Sequence, residues 1–207
     1  MADAAPRGAP RAPRRDDAAL RTIGALRAIN RGIALAGGVA LLATVLFVLT
    51  EIALRAVGAH GLGGSDEIAG YVMAGVTSWG LAFALTERAH IRIDMAVRRL
   101  RPLARDVVDT TALVSIASVA VTVAVYGWAV VGKSLERGSR ANTPLETPLA
   151  WPQGIWWAGW LWFAVCACFV AAVGLALLIR RRSAELNALA SDAEADILAG
   201  GTEGRPA

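Results

Sequence analysis

The chain has 207 residues, of which 56% are hydrophobic and 18% charged, and its mean hydropathy is +0.49. A water-soluble domain of this length needs far fewer apolar residues, so the bulk numbers describe a membrane protein. The net charge of +4 does not mark a nucleic-acid binder. The arginines sit between long apolar runs, and no segment outside those runs is long enough to build a basic face with interleaved aromatics.

Residues 1–19 carry Pro6, Pro10, Pro13, Arg7, Arg11, Arg14 and Arg15 with almost no large apolar side chains, and read as a disordered tail. Arg14-Arg15 is not read as a twin-arginine export signal, because Asp16 and Asp17 follow directly and the apolar run begins too far downstream. From Leu20, Ile23, Leu26 and Ile29 fall on one side of a helical wheel and Arg21, Arg27 and Arg31 on the other. That pattern predicts a short interfacial helix leading into the first span.

The first span is Gly32 to Thr50, nineteen residues without a charge. A cleaved signal peptide would have an apolar region of only about 7–15 residues with a small-residue site close behind. Here the run is longer and Glu51 and Arg55 intervene, so an uncleaved helix is expected. Glu51 and Arg55 are spaced i,i+4 with the acid first and can pair on one helical face, as a solvated interfacial pair or as a contact with another subunit. A glycine-rich loop, Gly58 to Gly64, precedes Ser65, the expected N-cap of the second span, and Asp66 and Glu67 suit the positive end of its dipole.

The second span is uncharged from Ile68 to Thr86 and leaves through Glu87, Arg88 and His90-Ile91-Arg92-Ile93-Asp94. At about 1.5 Å per residue its length just crosses a bilayer. Ile93, Val97, Leu100 and Ala104 then recur at helical spacing with arginines off the stripe, the signature of an amphipathic segment lying in the membrane surface. Pro102 divides it from the third span, about residues 107–132. The fourth, about 154–179, follows a loop with Pro144, Pro148 and Pro152 and opens with Trp151, Trp156, Trp157, Trp160 and Trp162. That cluster reads as an aromatic belt at the headgroup layer in preference to a ligand cage.

The expected domain layout is a tail at 1–19, a four-helix membrane domain at 20–182 and a flexible tail at 183–207. Seven arginines precede the first span and six lie between Glu87 and Asp106, against one between Glu51 and Glu67. The positive-inside rule therefore puts both termini and the middle loop in the cytoplasm.

No catalytic, cofactor or metal constellation is expected. His60 and His90 fall on opposite sides of the membrane, which does not suit axial haem ligands. Cys166 and Cys168 diverge on their helix and read as small core or lipid-facing residues. Hydroxyls such as Thr44, Ser78, Ser115, Ser118 and Thr122 are available for helix–helix hydrogen bonds, and Gly37, Gly38, Gly70, Gly75 and Gly80 for close packing. On these residues alone, a scaffold needing a partner and an independent four-helix membrane protein, redox-active or exporting, both stand.

Three groups of residues carry a family resemblance. Glu51 to Arg55 closes the first span; Asp66-Glu67 leads through Trp79 to Arg88, His90, Arg92 and Asp94; Thr147-Pro148-Leu149 and Trp151-Pro152-Gln153 precede the last helix. With the four-span layout they cover about residues 30–180, and the chain resembles the small membrane subunit, the Q or DctQ-type component, of tripartite ATP-independent periplasmic (TRAP) transporters. Trp157-Ala158-Gly159 stands where that family often has Pro-Leu-Gly. The resemblance implies a bacterial inner-membrane protein without cofactor, paired with a large TRAP membrane subunit that carries the substrate and sodium sites and moves as an elevator. A periplasmic solute-binding protein would deliver an organic anion, commonly a carboxylate. It further implies that Glu51, Arg55 and Glu67 shape the periplasmic face and that Arg88, His90, Arg92 and Asp94 set the cytoplasmic turn.

Overall fold

A computed structural model describes residues 15–58, 63–87 and 101–180, the side chains of 15–21 and 102 excepted. The described residues form four long α-helices: α1 (Arg15–Ala56), α2 (Ser65–Thr86), α3 (Pro102–Arg137) and α4 (Ala150–Ile179). All four are long and apolar enough to cross a membrane. The protein is an all-α membrane protein. The amphipathic segment expected between the second and third spans, with Arg88, His90, Arg92 and Asp94, lies outside the described residues, as does His60.

The helix ends differ from the sequence expectation for identifiable reasons. The predicted interfacial helix and the first span are one continuous helix of 42 residues, whose backbone begins at Arg15, inside the predicted tail. No proline or glycine pair interrupts the chain between the two segments, so nothing breaks the hydrogen-bond ladder. Helix α4 starts at Ala150, not near Gly154. Pro152 sits in its first turn, where a missing N–H costs nothing, so the proline lies inside the helix. Pro102 is the first residue of α3 for the same reason. Ser65 is not the N-cap of α2: Gly64 is, with φ of 75°, and Ser65 is buried in the first turn. The left-handed pair Gly63 and Gly64 turns the chain into the helix, and the Gly64 carbonyl accepts the first helical bond from Ile68 N–H (3.0 Å).

The helices pack in the spatial order α1–α2–α4–α3. α2 and α4 form the middle, α1 leans on α2 and α3 on α4, while α1 meets α4 only marginally. This is an open row and not a closed ring, so broad apolar faces remain uncovered, among them Leu35, Val39, Leu42 and Leu46 of α1. In a bilayer such faces meet lipid tails or other helices without penalty. The interior uses small side chains: Ala82 on α2, Ala117, Ala120 and Ala124 on α3, and Ala164, Ala167 and Ala171 on α4, joined by Phe163 and Cys166.

Close approach between helices is set at three glycines. A Cβ on Gly159 would lie 2.9 Å from the backbone carbonyl carbon of Ser78, so α2 and α4 touch through backbone there. Gly127 receives the rings of Trp156 and Trp157, and Gly37 receives Val76. Gly75 makes only ordinary contact with Ile155, and a Cβ on Gly38, Gly70 or Gly80 would meet nothing within 4 Å. The hydroxyls expected to bond between helices bond within them: Thr44, Ser115, Ser118 and Thr122 each donate to the carbonyl four residues back at 2.8 Å, and Ser78 to Gly75 at 2.9 Å. With no water in the hydrocarbon, the nearest carbonyl is the cheapest partner.

Candidate functional site

The polar side chains gather at the two ends of the helix row, leaving its middle uncharged. At one end, the Arg31 guanidinium grips Glu87 in a fork, Nε to Oε1 at 2.6 Å and Nη2 to Oε2 at 3.1 Å. Arg27 stands 3.9 Å from the same carboxylate and donates to the Thr86 carbonyl at 3.3 Å. Next to Arg31 in the chain, Asn30 is fully buried and ties three helices together. Its Nδ2 donates to the Ala82 carbonyl and to Thr86 Oγ1, both at 3.1 Å, and its Oδ1 accepts from Trp162 Nε1 at 2.8 Å. A buried amide is stable in such surroundings only with its hydrogen-bonding capacity filled.

At the other end the Glu51 carboxylate is 2% exposed and accepts from Arg55 Nη2 at 2.5 Å and from Gly63 N–H at 3.2 Å. The carboxylate is thus buried while the Arg55 side chain stays 61% exposed, and Glu51 holds the return of the chain into α2. The loop from Gly138 to Leu149 folds over this region. Gly138 ends α3 with φ of 58°, Ala141 N–H donates to the Thr147 carbonyl (2.9 Å) and Leu149 N–H to the Ser139 carbonyl (3.0 Å), and Arg140 pairs with Pro148 in a short antiparallel bridge. The loop lays Leu145 against Gly64 and brings Thr143 to Glu67, whose Oε2 accepts from its hydroxyl while Oε1 accepts from Tyr71 Oη at 2.6 Å.

Twenty positions separate Arg31 from Glu51, about 30 Å of helix. That matches the hydrocarbon thickness of a bilayer, and the other three helices are uncharged across the same depth.

The predicted site residues fall into three groups. Glu51 and Arg55 pair as the spacing implies, and Glu67 joins the same end through the loop. Trp79 donates from Nε1 to the Ile155 carbonyl at 3.1 Å, so it bonds α2 to α4. Pro148 and Trp151 are exposed, Trp151 at 73%, Pro152 lies in the first turn of α4, and Asp66 is exposed at the start of α2. Of the tryptophan cluster only Trp151 suits a headgroup belt. Trp157 Nε1 bonds the Ala124 carbonyl at 2.8 Å and its ring lies 4.8 Å from that of Trp128; Trp162 bonds Asn30; Trp160 meets Trp156 and Phe163 edge-on. The belt expectation is corrected because indole N–H groups inside the bundle must find acceptors there. Asn30, Arg31 and Glu87 are the residues that spacing alone misses as a unit. Asn30 is the one uncharged amide between Arg27 and Arg31, which was the available signal.

Asp106 and Asp109, legible in sequence only as marks of a span's start, are buried. Cys166 is buried and Cys168 exposed, both as free thiols on different faces of α4. Among the described residues no group of three or more His, Cys, Asp or Glu is placed to hold a metal ion.

This arrangement can hold a shape and offer faces; what it serves is decided by comparison. Residues 44–183 match the family of tripartite ATP-independent periplasmic transporters, DctQ component. The chain belongs to this family. The match covers more than half of the chain and takes in the Glu51 end, the loop over it and all of α2, α3 and α4. The Arg31–Glu87 fork reaches the matched segment from outside it, because Asn30 and Arg31 precede residue 44. As a DctQ component the protein is a small membrane subunit of a TRAP transporter, and the family implies association with a large membrane subunit and a periplasmic binding protein. No curated protein and no solved structure matches the chain.

Proposed function

We propose that this DctQ component is a non-catalytic scaffold that holds the large, elevator-type subunit of a sodium-coupled TRAP transporter in the bacterial inner membrane. The complex takes up an organic anion, a carboxylate, handed over by the periplasmic binding protein. The observation that carries this reading is the family match over residues 44–183. The geometry supports it. A part that a moving subunit slides against must itself stay fixed, and this row of helices is pinned by ion pairs and buried hydrogen bonds at both ends. Its membrane-spanning middle offers uncharged apolar faces and no ionisable group of the kind a transport pathway needs. The arginine balance supports an orientation with both termini and the α2–α3 connection in the cytoplasm. In that frame Glu51, Arg55 and Glu67 belong to the periplasmic face, and Arg88, His90, Arg92 and Asp94 to the cytoplasmic turn.

The test is to tag the chain in its native host, solubilise membranes in mild detergent and identify what co-purifies. Recovery of a large polytopic permease in fixed ratio is expected. With that permease and its binding protein in proteoliposomes, carboxylate uptake should require both a sodium gradient and this chain. Recovery of the chain alone as a homo-oligomer, or uptake by the chain without partners, would overturn the reading.

A further inference from the structure

Several donors converge on the Glu67 carboxylate. Tyr71 Oη, one turn along α2, donates to Oε1 at 2.6 Å, and the Thr143 hydroxyl donates to Oε2. The Leu145 N–H also donates to the carboxylate, and the Thr147 hydroxyl reaches both it and Tyr71. Together they match the roughly four lone-pair positions of an ionised carboxyl group. Apart from Tyr71, all of them come from one short stretch of the α3–α4 loop, Thr143-Pro144-Leu145-Glu146-Thr147. The backbone explains the convergence. Glu146 N–H donates to the Thr143 carbonyl at 3.0 Å, and Glu146 takes a left-handed φ of 45°. The stretch therefore folds back on itself and brings two hydroxyls and an N–H to one side. Arg140 Nη1 donates to the Glu146 carbonyl at 3.2 Å and stiffens the same turn. The loop's neck is closed by its own bonds, Ala141 to Thr147 and Leu149 to Ser139. Among the described residues no backbone hydrogen bond ties the loop to α2. It is a preformed hairpin hooked onto α2 by one side chain, with Leu145 packed over Gly64.

We propose that the tip of the α3–α4 loop is a carboxylate-binding cradle occupied by Glu67, and that this occupancy is the latch that seats the loop on α2. Hydrogen bonds to an ionised acceptor are about twice as strong as neutral ones, so the charge of Glu67 and not its shape alone holds the latch. When the carboxylate is withdrawn, the hairpin keeps its neck and swings on Gly138, the left-handed residue where α3 ends. Thr147 also lines an apolar cleft between α1, α2 and the start of α4, so the seat of the loop decides how that cleft ends. The inference rests on the chain's own residues and is independent of the transport reading.

The experiment follows hydrogen exchange by mass spectrometry across residues 139–149 of the purified full-length chain in detergent. Glu67→Ala should accelerate exchange in this loop about tenfold, the worth of one or two net hydrogen bonds, and leave the amides of α3 and α4 unchanged. Glu67→Gln keeps the shape without the charge and should give an intermediate rate. Acetate replaces the CH2–COO⁻ group that Glu67→Ala removes, so excess acetate should slow the loop of that variant back toward wild type. Acetamide, neutral and of the same shape, should do so only weakly, and chloride at equal ionic strength not at all. Adding Thr143→Ala and Thr147→Ala to Glu67→Ala should abolish the response to acetate. The acetate response is read within one variant, so a general loss of stability cannot imitate it. Unchanged loop exchange in Glu67→Ala, acceleration spread equally along the helices, or no difference between acetate and acetamide would each overturn the proposal.

Discussion

Gly159→Ala tests how α2 and α4 are held together. A Cβ at Gly159 would sit 2.9 Å from the Ser78 carbonyl carbon, whereas ordinary contact begins at 3.4 Å. The obstructing atom belongs to the backbone, so no rotamer change relieves it and the helices must part by about 0.5 Å at their crossing. Overpacking of this kind costs about 1–3 kcal/mol, and replacing a helical glycine by alanine returns about 0.5–1 kcal/mol of backbone entropy. The net expectation is a loss of up to about 2.5 kcal/mol. Separation also strains the Trp79–Ile155 bond across the same interface. Gly80→Ala is the matched control: a Cβ there meets nothing within 4 Å, so only the entropic gain of about 0.5–1 kcal/mol remains and the sign reverses. Thermal midpoints of the purified chain in one detergent, followed by tryptophan fluorescence, should move by roughly 2–4 °C per kcal/mol. Gly159→Ala should fall below wild type and Gly80→Ala match or exceed it; shifts of the same sign would refute the packing argument.

The remaining expectations concern the polar ends. Asn30→Leu strips the acceptor from Trp162 and two donors from α2, and should lower stability by about 1–3 kcal/mol. A thermal double-mutant cycle with Trp162→Phe should then give a coupling of about 0.6–1.7 kcal/mol, as for hydrogen bonds inside membranes. The Arg31–Glu87 fork is partly exposed, so Glu87→Gln should cost no more than about 1 kcal/mol, with the difference from wild type shrinking as salt is added to the thermal assay. Glu51→Gln keeps an acceptor for Gly63 N–H and Glu51→Leu does not, so hydrogen exchange at Gly63 should accelerate much more in the leucine variant; equal rates would remove Glu51 from the turn.

The four helices were legible because hydrophobic length is a strong signal and charges bracket each run. Residues such as Glu51 and Arg55 were legible as a pair because their spacing is local. What stayed hidden was everything that depends on which helix lies next to which. Asn30, Ala82 and Trp162 are distant in sequence and meet only once α1, α2 and α4 are packed. Gly159 looks no different from Gly70 until Ser78 is placed against it. The tryptophans misled for the same reason: composition places indoles at an interface, whereas Trp157 and Trp162 are claimed by acceptors on neighbouring helices. The start of α4 at Ala150 and the N-cap of α2 at Gly64 were displaced from expectation because first-turn proline and left-handed glycine are permitted locally and chosen by the loops around them.

The distance between the two polar ends makes the protein a gauge of its surroundings. Arg31, forked with Glu87, and Glu51, bonded to Gly63 N–H, are fixed about 30 Å apart on one helix, so the chain cannot shorten or lengthen its apolar girth to suit the bilayer. A thicker membrane must thin around it or drag charged side chains inward, and a thinner one must swell or force a tilt, each at a fraction of a kcal/mol per ångström. The penalty is small for one helix and shared by four, which sorts the protein toward membranes of matching depth. Any larger assembly built on this chain inherits the same mismatch constraint.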